Sequence, residues 1–284
     1  MLLALVTASC AAIIGIEQTT DEPAETPARP DSGSQSGEDA AIEDDAANGI
    51  VEDTPVDEDA GTFADVAEID ASVPTCAETG LVARWKLDEG TGTIATDCSG
   101  NKLHGVITKG KWESNGVDGG AVSFDGNGWV GFANPAMLRI TGALTIALWL
   151  RYDKTTSSTA YLVGKTSNPG TNGWRLGVLG TASQLAFATP SSASNFNVVG
   201  GNVPLSKWQH VAAVFAPNDK TEVYLAGARV GVHTGAPSAM VASGSEARIG
   251  ARFDGLYGMN GAVYDVRIYS RALSASEIAA LSKR

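Results

Sequence analysis

The ten-residue stretch TDCSGNKLHG, at residues 96–105, gathers the side chains of this sequence that are best suited to chemistry. It places a carboxylate, a thiol, an amide and an imidazole around two glycines. Asp97 and Asn101, with backbone carbonyls near His104, could supply the hard oxygen ligands that Ca²⁺ prefers. The alternative is a turn in which the Asp97 and Asn101 side chains bond local backbone groups. We expect the turn, and a structural Ca²⁺ site at Asp97, Asn101 and His104 is the second interpretation.

The chain contains three cysteines, Cys10, Cys76 and Cys98. In an exported protein an odd number suggests one pair and one cysteine with another role. In an oxidising compartment the simplest assignment is a Cys76–Cys98 disulfide, because both residues flank the first predicted strand. Closing a loop of that size contributes about 3 kcal/mol in the chain-entropy model. The alternative is two unpaired thiols at the start of the domain.

The N-terminal stretch MLLALVTASCAAIIGI is apolar and uncharged. It is shorter than the roughly 20 residues of a membrane-spanning helix and is typical of a signal peptide. TASC at residues 7–10 resembles the lipobox of bacterial lipoproteins, in which the cysteine is lipidated. We expect residues 1–17 to be a signal peptide with a lipid anchor at Cys10. The alternative is an ordinary signal peptide that is removed together with Cys10.

The formal net charge of −12 is unevenly distributed along the chain. Residues 18–75 contain 17 acidic residues and one basic residue, Arg29, and their only aromatic residue is Phe63. Such a segment buries too little apolar surface to offset chain entropy, so we expect a disordered acidic linker. Residues 76–284 have a small basic excess without a concentrated Lys/Arg stripe, and we therefore expect no nucleic-acid partner.

Residues 76–284 are rich in short alternating runs that are separated by Gly, Asn, Asp and Ser. This texture predicts an all-β fold, an antiparallel sandwich of two sheets. In LTIALWLR, residues 144–151, the leucines and the isoleucine share one face of the strand. A single helix is predicted at the C-terminal end, where Ser274 and Glu277 form a capping box.

These runs resemble a LamG-like jelly-roll domain. WKLDEGTGTIATDCSGNKLHG, GGAVSFDG and LTIALWLR resemble its opening half, and WQHVAAVF, VYLAGARV and GAVYDVRIYSRALSASEIAAL resemble its closing half. The resemblance extends from about Leu81 to Leu281 and implies a concanavalin A-like sandwich over residues 76–284. Some members of the family bind calcium near the position of Asp97. The fold hosts lectin-like, adhesive and hydrolytic proteins, so the resemblance alone does not fix a function.

Catalytic patterns are missing from residues 76–284. Laminarinase-type hydrolases on this fold carry E-x-D-x-x-E on one strand, which places two carboxylates roughly 5 Å apart for a retaining mechanism. This sequence has no such run, and it has no G-x-S-x-G elbow for a Ser–His–Asp triad. We expect His210, inside the strand WQHVAAVF, to have a packing role. The protein is therefore predicted not to be an enzyme, and glycoside hydrolysis is the third interpretation of its function.

The six tryptophans bear on glycan binding, because sugar rings stack on flat apolar faces. Three tryptophans lie within strand patterns and are expected to pack in the core: Trp85, Trp149 and Trp208. In GNGW and TNGW an amide side chain lies near a ring in a predicted loop, and the candidate ligand-binding residues are therefore Asn127, Trp129, Asn172 and Trp174.

Taken together, the sequence predicts an exported protein of the bacterial cell envelope that contacts the membrane through a lipid anchor only. A tethered, non-catalytic module that recognises carbohydrate is the first hypothesis for its function. A structural or protein–protein adhesion module without a sugar site is the second. The expected partner is a glycan or a surface protein.

Overall fold

The computed structural model describes residues 76–167, 172–189 and 198–283. The expected signal peptide, the lipidation site Cys10 and the acidic linker lie outside the described residues. The described chain forms a β-sandwich, as predicted. Its strands, in chain order, are β1 Leu81–Trp85, β2 Ile94–Ala95, β3 Gly105–Thr108, β4 Lys111–Gly116, β5 Gly119–Asp125, β6 Trp129–Phe132, β7 Leu144–Lys154, β8 Thr159–Thr166, β9 Gly173–Leu179, β10 Gln184–Ala188, β11 Val198–Asn202, β12 Trp208–Ala216, β13 Lys220–Leu225, β14 Ala228–Thr234, β15 Ala247–Ile249 and β16 Asn260–Tyr269.

The strands form two antiparallel sheets of eight strands each. Sheet A has the order β14-β13-β12-β7-β16-β5-β4, with β1 also paired to β16, and sheet B has the order β11-β10-β9-β8-β15-β6-β3-β2. Strand β16 pairs first with β5, as far as Val263, and then with β1, from Val266 onward. Asp265 lies at this change of partner with a φ of 48°, where the register shifts.

The main core lies between the two sheets. Strand β7 alternates as the sequence predicts, and its fully buried inward side chains are Leu144, Ile146, Leu148, Leu150 and Tyr152. Trp85 is also fully buried, with its ring centroid 4.2 Å from that of Phe132. Each such buried apolar side chain stabilises the fold by about 1.5–3 kcal/mol relative to exposure. The alternation leaves every second side chain of β7 on the outer face of sheet A.

The helix α1, Ala275–Leu281, packs on this outer face. The predicted capping box is confirmed: the Glu277 N–H donates to Ser274 Oγ at 3.3 Å, and the Ser274 N–H donates to Glu277 Oε2 at 2.8 Å. Ile278 is fully buried in a cluster with Ala147 and Val214, so the helix covers one part of the face. No helix in the described ranges has the length and apolar content that crossing a bilayer requires.

The start of the domain is fastened to the sandwich. Cys76 and Cys98 form the predicted disulfide, with their Cα atoms 5.1 Å apart. Two residues later, Glu78 accepts hydrogen bonds from Arg267 Nη1 at 3.1 Å and from the Tyr269 hydroxyl at 2.7 Å. The residues that follow the expected linker are therefore tied to both the first loop and the last strand.

Candidate functional site

The part of the sheet A outer face beyond helix α1 carries three aromatic side chains. Trp149 on β7, Trp208 on β12 and Tyr264 on β16 belong to one apolar cluster there. Trp149 and Trp208 are partly exposed, whereas Tyr264 is 5% exposed. We refer to these three residues, together with Arg151 and Glu113, as the aromatic face.

Strand register sets the order of these side chains across the sheet. Trp208 lies opposite Arg151, and His210 lies opposite Trp149. On the other side of β7, Tyr264 lies opposite Trp149. Because neighbours across paired strands point to the same side of a sheet, these side chains form one surface that faces away from the core.

Arg151 is held between two carboxylates. Its Nη1 and Nη2 atoms donate to the Glu113 oxygens at 2.7 and 3.1 Å, and its Nε atom donates to both Asp153 oxygens at 3.0 Å. Its guanidinium carbon lies 5.6 Å from the centroid of the Trp208 ring. The hydrogen bonds from Arg151 lower the pKa of Glu113 although burial opposes them, and Glu113 is ionised at neutral pH.

We refer to Arg151 with its two carboxylate partners, Glu113 and Asp153, as the clamp. Small side chains leave room beside it. Ala262 lies opposite Arg151, and Ser123 lies opposite Ala262. A pocket of about 190 Å³ opens beside Arg151, and a second of about 380 Å³ opens towards Asp88; Glu113 lines both. The surface thus combines aromatic rings with carboxylates of fixed position. The space that a ligand can enter lies at the carboxylates, because Glu113 lines both pockets whereas Trp149 and Trp208 line neither.

Two further groups support the aromatic rings. The Tyr264 hydroxyl donates to Asp118 Oδ2 at 3.0 Å, and burial together with this bond raises the pKa of Tyr264. His210 is 3% exposed and meets Trp149 edge-on, with ring centroids 5.6 Å apart. Burial, assisted by the charge of Arg267, lowers the pKa of His210 to about 4, so its imidazole is neutral at physiological pH. Its expected packing role is confirmed.

The prediction that Trp149 and Trp208 pack in the core was wrong, whereas the same prediction for Trp85 is confirmed. The signal for Trp149 was present in LTIALWLR, because the residue alternates with the leucines that face the core.

Arg151 and Glu113 lie on strands β7 and β4, which are not adjacent in the sheet. Only the strand order brings them together, and no local motif marks the pair.

Trp129 and Asn127 lie away from the aromatic face. Asn127 is exposed, and its N–H donates to Asp125 Oδ1 at 3.2 Å. Trp129 is on sheet B and partly exposed, with the Arg248 guanidinium carbon 4.2 Å from its ring centroid. Arg252 lies 4.5 Å from the ring centroid of Tyr257 nearby. We refer to Trp129, Arg248, Arg252 and Tyr257 as the arginine–aromatic patch.

Trp174 is not an exposed platform, so its prediction as a ligand-binding residue was wrong. Gly173, with a φ of 79°, begins β9, and the Trp174 ring that follows is 1% exposed and packs in the core between the sheets. Asn172 Oδ1 accepts hydrogen bonds from the N–H and the hydroxyl of Ser167 at 3.1 and 2.5 Å. The side-chain oxygen of Asn172 is thus occupied by Ser167.

Asp97 organises a turn, as the first interpretation expected. Its carboxylate accepts from the N–H groups of Arg84, Ser99 and Leu103 at 2.9, 2.9 and 3.0 Å, and from the Ser99 hydroxyl at 2.7 Å. Asn101 Nδ2 donates to the Val82 carbonyl at 2.9 Å. His104 Nδ1 accepts from the Asp97 N–H at 3.1 Å.

This turn does not fit a calcium ligand set as it stands. A carboxylate offers about four acceptor positions, and protein donors engage all of them on Asp97. Within the described ranges, no group of three or more His, Cys, Asp or Glu side chains is arranged to hold a metal ion. Calcium binding by Asp97, Asn101 and His104 stays a prediction for a titration to decide.

Residues 124–279 match the family described as the concanavalin A-like lectin/glucanases superfamily. The chain belongs to this superfamily. Its LamG-like resemblance is thereby confirmed, and the aromatic face is a surface of a concanavalin A-like sandwich. No curated protein matches the chain at a significant level.

Several solved structures share the fold of this superfamily member. Domain 4 of AbnA, an extracellular arabinanase from Geobacillus stearothermophilus in complex with arabinotriose, is 19% identical with a TM-score of 0.57, over 72% of this chain and 98% of that one. The binding domain of Paraclostridial Mosquitocidal Protein 1 is 16% identical with a TM-score of 0.59, over 72% of this chain and 52% of that one. Trypanosoma rangeli sialidase, in complex with 2,3-difluorosialic acid, is 22% identical with a TM-score of 0.56, over 75% of this chain and 34% of that one. At these identities the likeness shows the fold alone.

Proposed function

We propose that the domain is a non-catalytic carbohydrate-binding module and that the aromatic face is its binding site. The observation that carries this proposal is the position of Trp208 beside Arg151, whose guanidinium two carboxylates hold in place. A sugar ring has apolar C–H faces that stack on an indole and hydroxyl groups that bond charged, planar side chains. The aromatic face offers both kinds of contact on adjacent strands.

The structural neighbours support a ligand of this class. Domain 4 of the arabinanase is seen with arabinotriose, and this chain matches nearly the whole of that domain. The sialidase, of whose chain the match spans about a third, is also seen in complex with a sugar, a modified sialic acid. Carbohydrate binding therefore occurs in proteins that share this sandwich.

The chemistry of Glu113 supports binding without hydrolysis. Glycosidases need one carboxyl group that stays protonated until it donates to the leaving oxygen. Arg151 instead keeps Glu113 ionised. Burial also raises the pKa of Glu89, but Glu89 Oε1 accepts the Thr96 N–H at 2.6 Å and Oε2 is buried from solvent, where a glycosidic oxygen does not reach it.

We also propose that the module is exported and anchored through Cys10. The basis is the apolar start of the sequence and its TASC motif, followed by the acidic segment. A tether of this kind would present the sandwich beyond the cell surface. Mass spectrometry of the mature protein should show an acylated Cys10 at the N-terminus, and an unmodified terminus at another residue would overturn the anchor.

A glycan array probed with the full chain tests the binding proposal. We expect Trp208→Ala to weaken binding roughly 30-fold, the effect of losing a central aromatic contact of about 2 kcal/mol. Trp129→Ala removes a tryptophan of similar exposure on the other sheet and is the matched control. Thermal unfolding of each variant separates loss of contact from loss of fold. Absence of binding to every glycan by the folded protein would overturn the proposal.

A second candidate function is adhesion to a protein, and the arginine–aromatic patch favours it. Trp, Tyr and Arg are enriched in the central residues of protein interfaces, and Trp129, Arg248, Arg252 and Tyr257 combine all three. Leu256, which precedes Tyr257 in the chain, adds an apolar side chain that is 57% exposed. Binding of a surface protein that Trp129→Ala abolishes and Trp208→Ala leaves intact would support this second function.

A further inference from the structure

The hydrogen bonds of Arg151 limit which saccharides the aromatic face can take. A guanidinium binds a carboxylate in a bidentate way, through a pair of parallel N–H groups on one edge of the guanidinium. Asp153 occupies the Nε/Nη2 edge, with Nε and Nη2 at 3.0 and 2.9 Å from its oxygens. Glu113 occupies the Nη1/Nη2 edge. Arg151 therefore has no edge left for the carboxylate of an acidic sugar.

The carboxylates of the clamp keep acceptor capacity. Each Glu113 oxygen accepts one hydrogen bond from Arg151, and a carboxylate oxygen can accept about two. The Glu113 side chain is 23% exposed and that of Asp153 is 34% exposed, so a ligand can reach both. Groups that bind these carboxylates must be donors, and hydroxyls are the donors of a neutral sugar.

The charges around the two pockets agree with this preference. In the pocket beside Arg151, the basic residues Lys109, Lys111 and Arg151 are matched by the acids Glu113, Asp125 and Asp153. The second pocket is lined by the acids Asp88 and Glu113, and its remaining lining residues are uncharged. An anionic ligand would gain no net attraction in the first pocket and would meet like charge in the second.

We propose that the aromatic face selects neutral saccharides, with one ring stacked on Trp208 and a pair of adjacent hydroxyls donating to the Glu113 carboxylate. Uronic and sialic acids are discriminated against because the clamp leaves Arg151 no free edge. This inference rests on the proposed carbohydrate-binding function. It adds the class of ligand and the residue, Glu113, that determines it.

The test uses the full chain on an array that pairs neutral oligosaccharides with acidic counterparts. Two pairs of probes are used: galactotriose with trigalacturonate, which differ from each other by oxidation at C6, and lactose with sialyllactose. Arabinotriose is added as a neutral probe without an acidic counterpart. We expect each bound neutral probe to exceed its acidic counterpart by roughly tenfold or more in affinity. Glu113→Gln keeps the size of the side chain but gives the amide only one acceptor oxygen and frees part of the Arg151 edge. We expect this variant to lose affinity for the neutral probes, so that the ratio of neutral to acidic affinity becomes smaller.

Glu246→Gln is the matched control, because Glu246 pairs with Arg248 at 3.0 Å on the other sheet. It should bind as the unchanged protein does, and thermal unfolding should show both glutamine variants folded. Equal or tighter binding of acidic probes through Trp208 would overturn the selectivity and leave the proposed function standing. An unchanged ratio in Glu113→Gln would overturn the role of Glu113. Failure of every probe, neutral and acidic, would overturn the proposed function itself.

Discussion

His210 lies edge-on against Trp149 across strands β12 and β7, with the two ring centroids 5.6 Å apart. The imidazole is 3% exposed, and Nδ1 has no hydrogen-bond partner among the described residues. A charged imidazole at this position would lose hydration without gaining an acceptor there. The ring is therefore a neutral packing element beneath the aromatic face, and protonation opposes the fold.

The stability of the domain should depend on pH through His210. Its pKa is about 4 in the fold against an ordinary 6.5, so the unfolded chain binds the proton more tightly. The stability difference is fully present above pH 6.5 and is lost as the pH falls towards 4, and it amounts to roughly 3 kcal/mol. Urea unfolding of the full chain between pH 4 and 7 should show this slope.

His210→Gln should flatten that part of the pH profile, because an amide does not titrate there. His233→Gln is the control, since His233 is exposed on β14. If His210→Gln and the unchanged protein lost stability in parallel from pH 6.5 to 4, the burial of a neutral imidazole would not explain the slope.

The disulfide should contribute strongly to stability. Cys76→Ser with Cys98→Ser removes a cross-link between residues 22 apart, which should lower the free energy of unfolding by about 3 kcal/mol. Reduction of the unchanged protein should have a similar effect on its urea midpoint. Equal midpoints for the oxidised and reduced protein would show that the contacts of Glu78 hold this end by themselves.

Replacement of Asp97 tests the turn against the calcium interpretation. Asp97→Ala leaves four donors without their acceptor, three of them backbone N–H groups, and should cost roughly 3 kcal/mol. We expect the melting temperature of the unchanged protein to be the same in millimolar CaCl₂ and in EDTA. A rise with calcium that Asp97→Asn abolishes would show that Asp97 exchanges its donors for the ion.

Much of the fold could be predicted from the sequence because strand alternation and helix capping are local. The phase of LTIALWLR places Leu148 inward, and Ser274 with Glu277 marks the start of α1, as the structure confirms. The disulfide also followed, from the number and positions of the cysteines.

The binding surface could not be predicted in the same way, because strand order creates it. Arg151 reaches Glu113 across β16 and β5, which lie between β7 and β4 in sheet A and carry the small side chains of Ala262 and Ser123 there. TNGW suggested a loop, yet strand β9 begins at Gly173, and the Trp174 ring that follows points inward. Tertiary register thus decides which tryptophans are exposed, and a run of polar neighbours is a weak guide to it.

The indole N–H resonances of the protein provide the most direct test of the aromatic face. Each of the six tryptophans contributes one Nε1–H signal to a ¹⁵N correlation spectrum, and a neutral oligosaccharide that the array identifies can be titrated into the full chain. We predict that the signals of Trp208 and Trp149 shift on binding, while those of the buried Trp85 and Trp174 stay in place. Shifts confined to Trp129, with Trp208 and Trp149 unchanged at saturation, would contradict the account and place recognition on the other sheet.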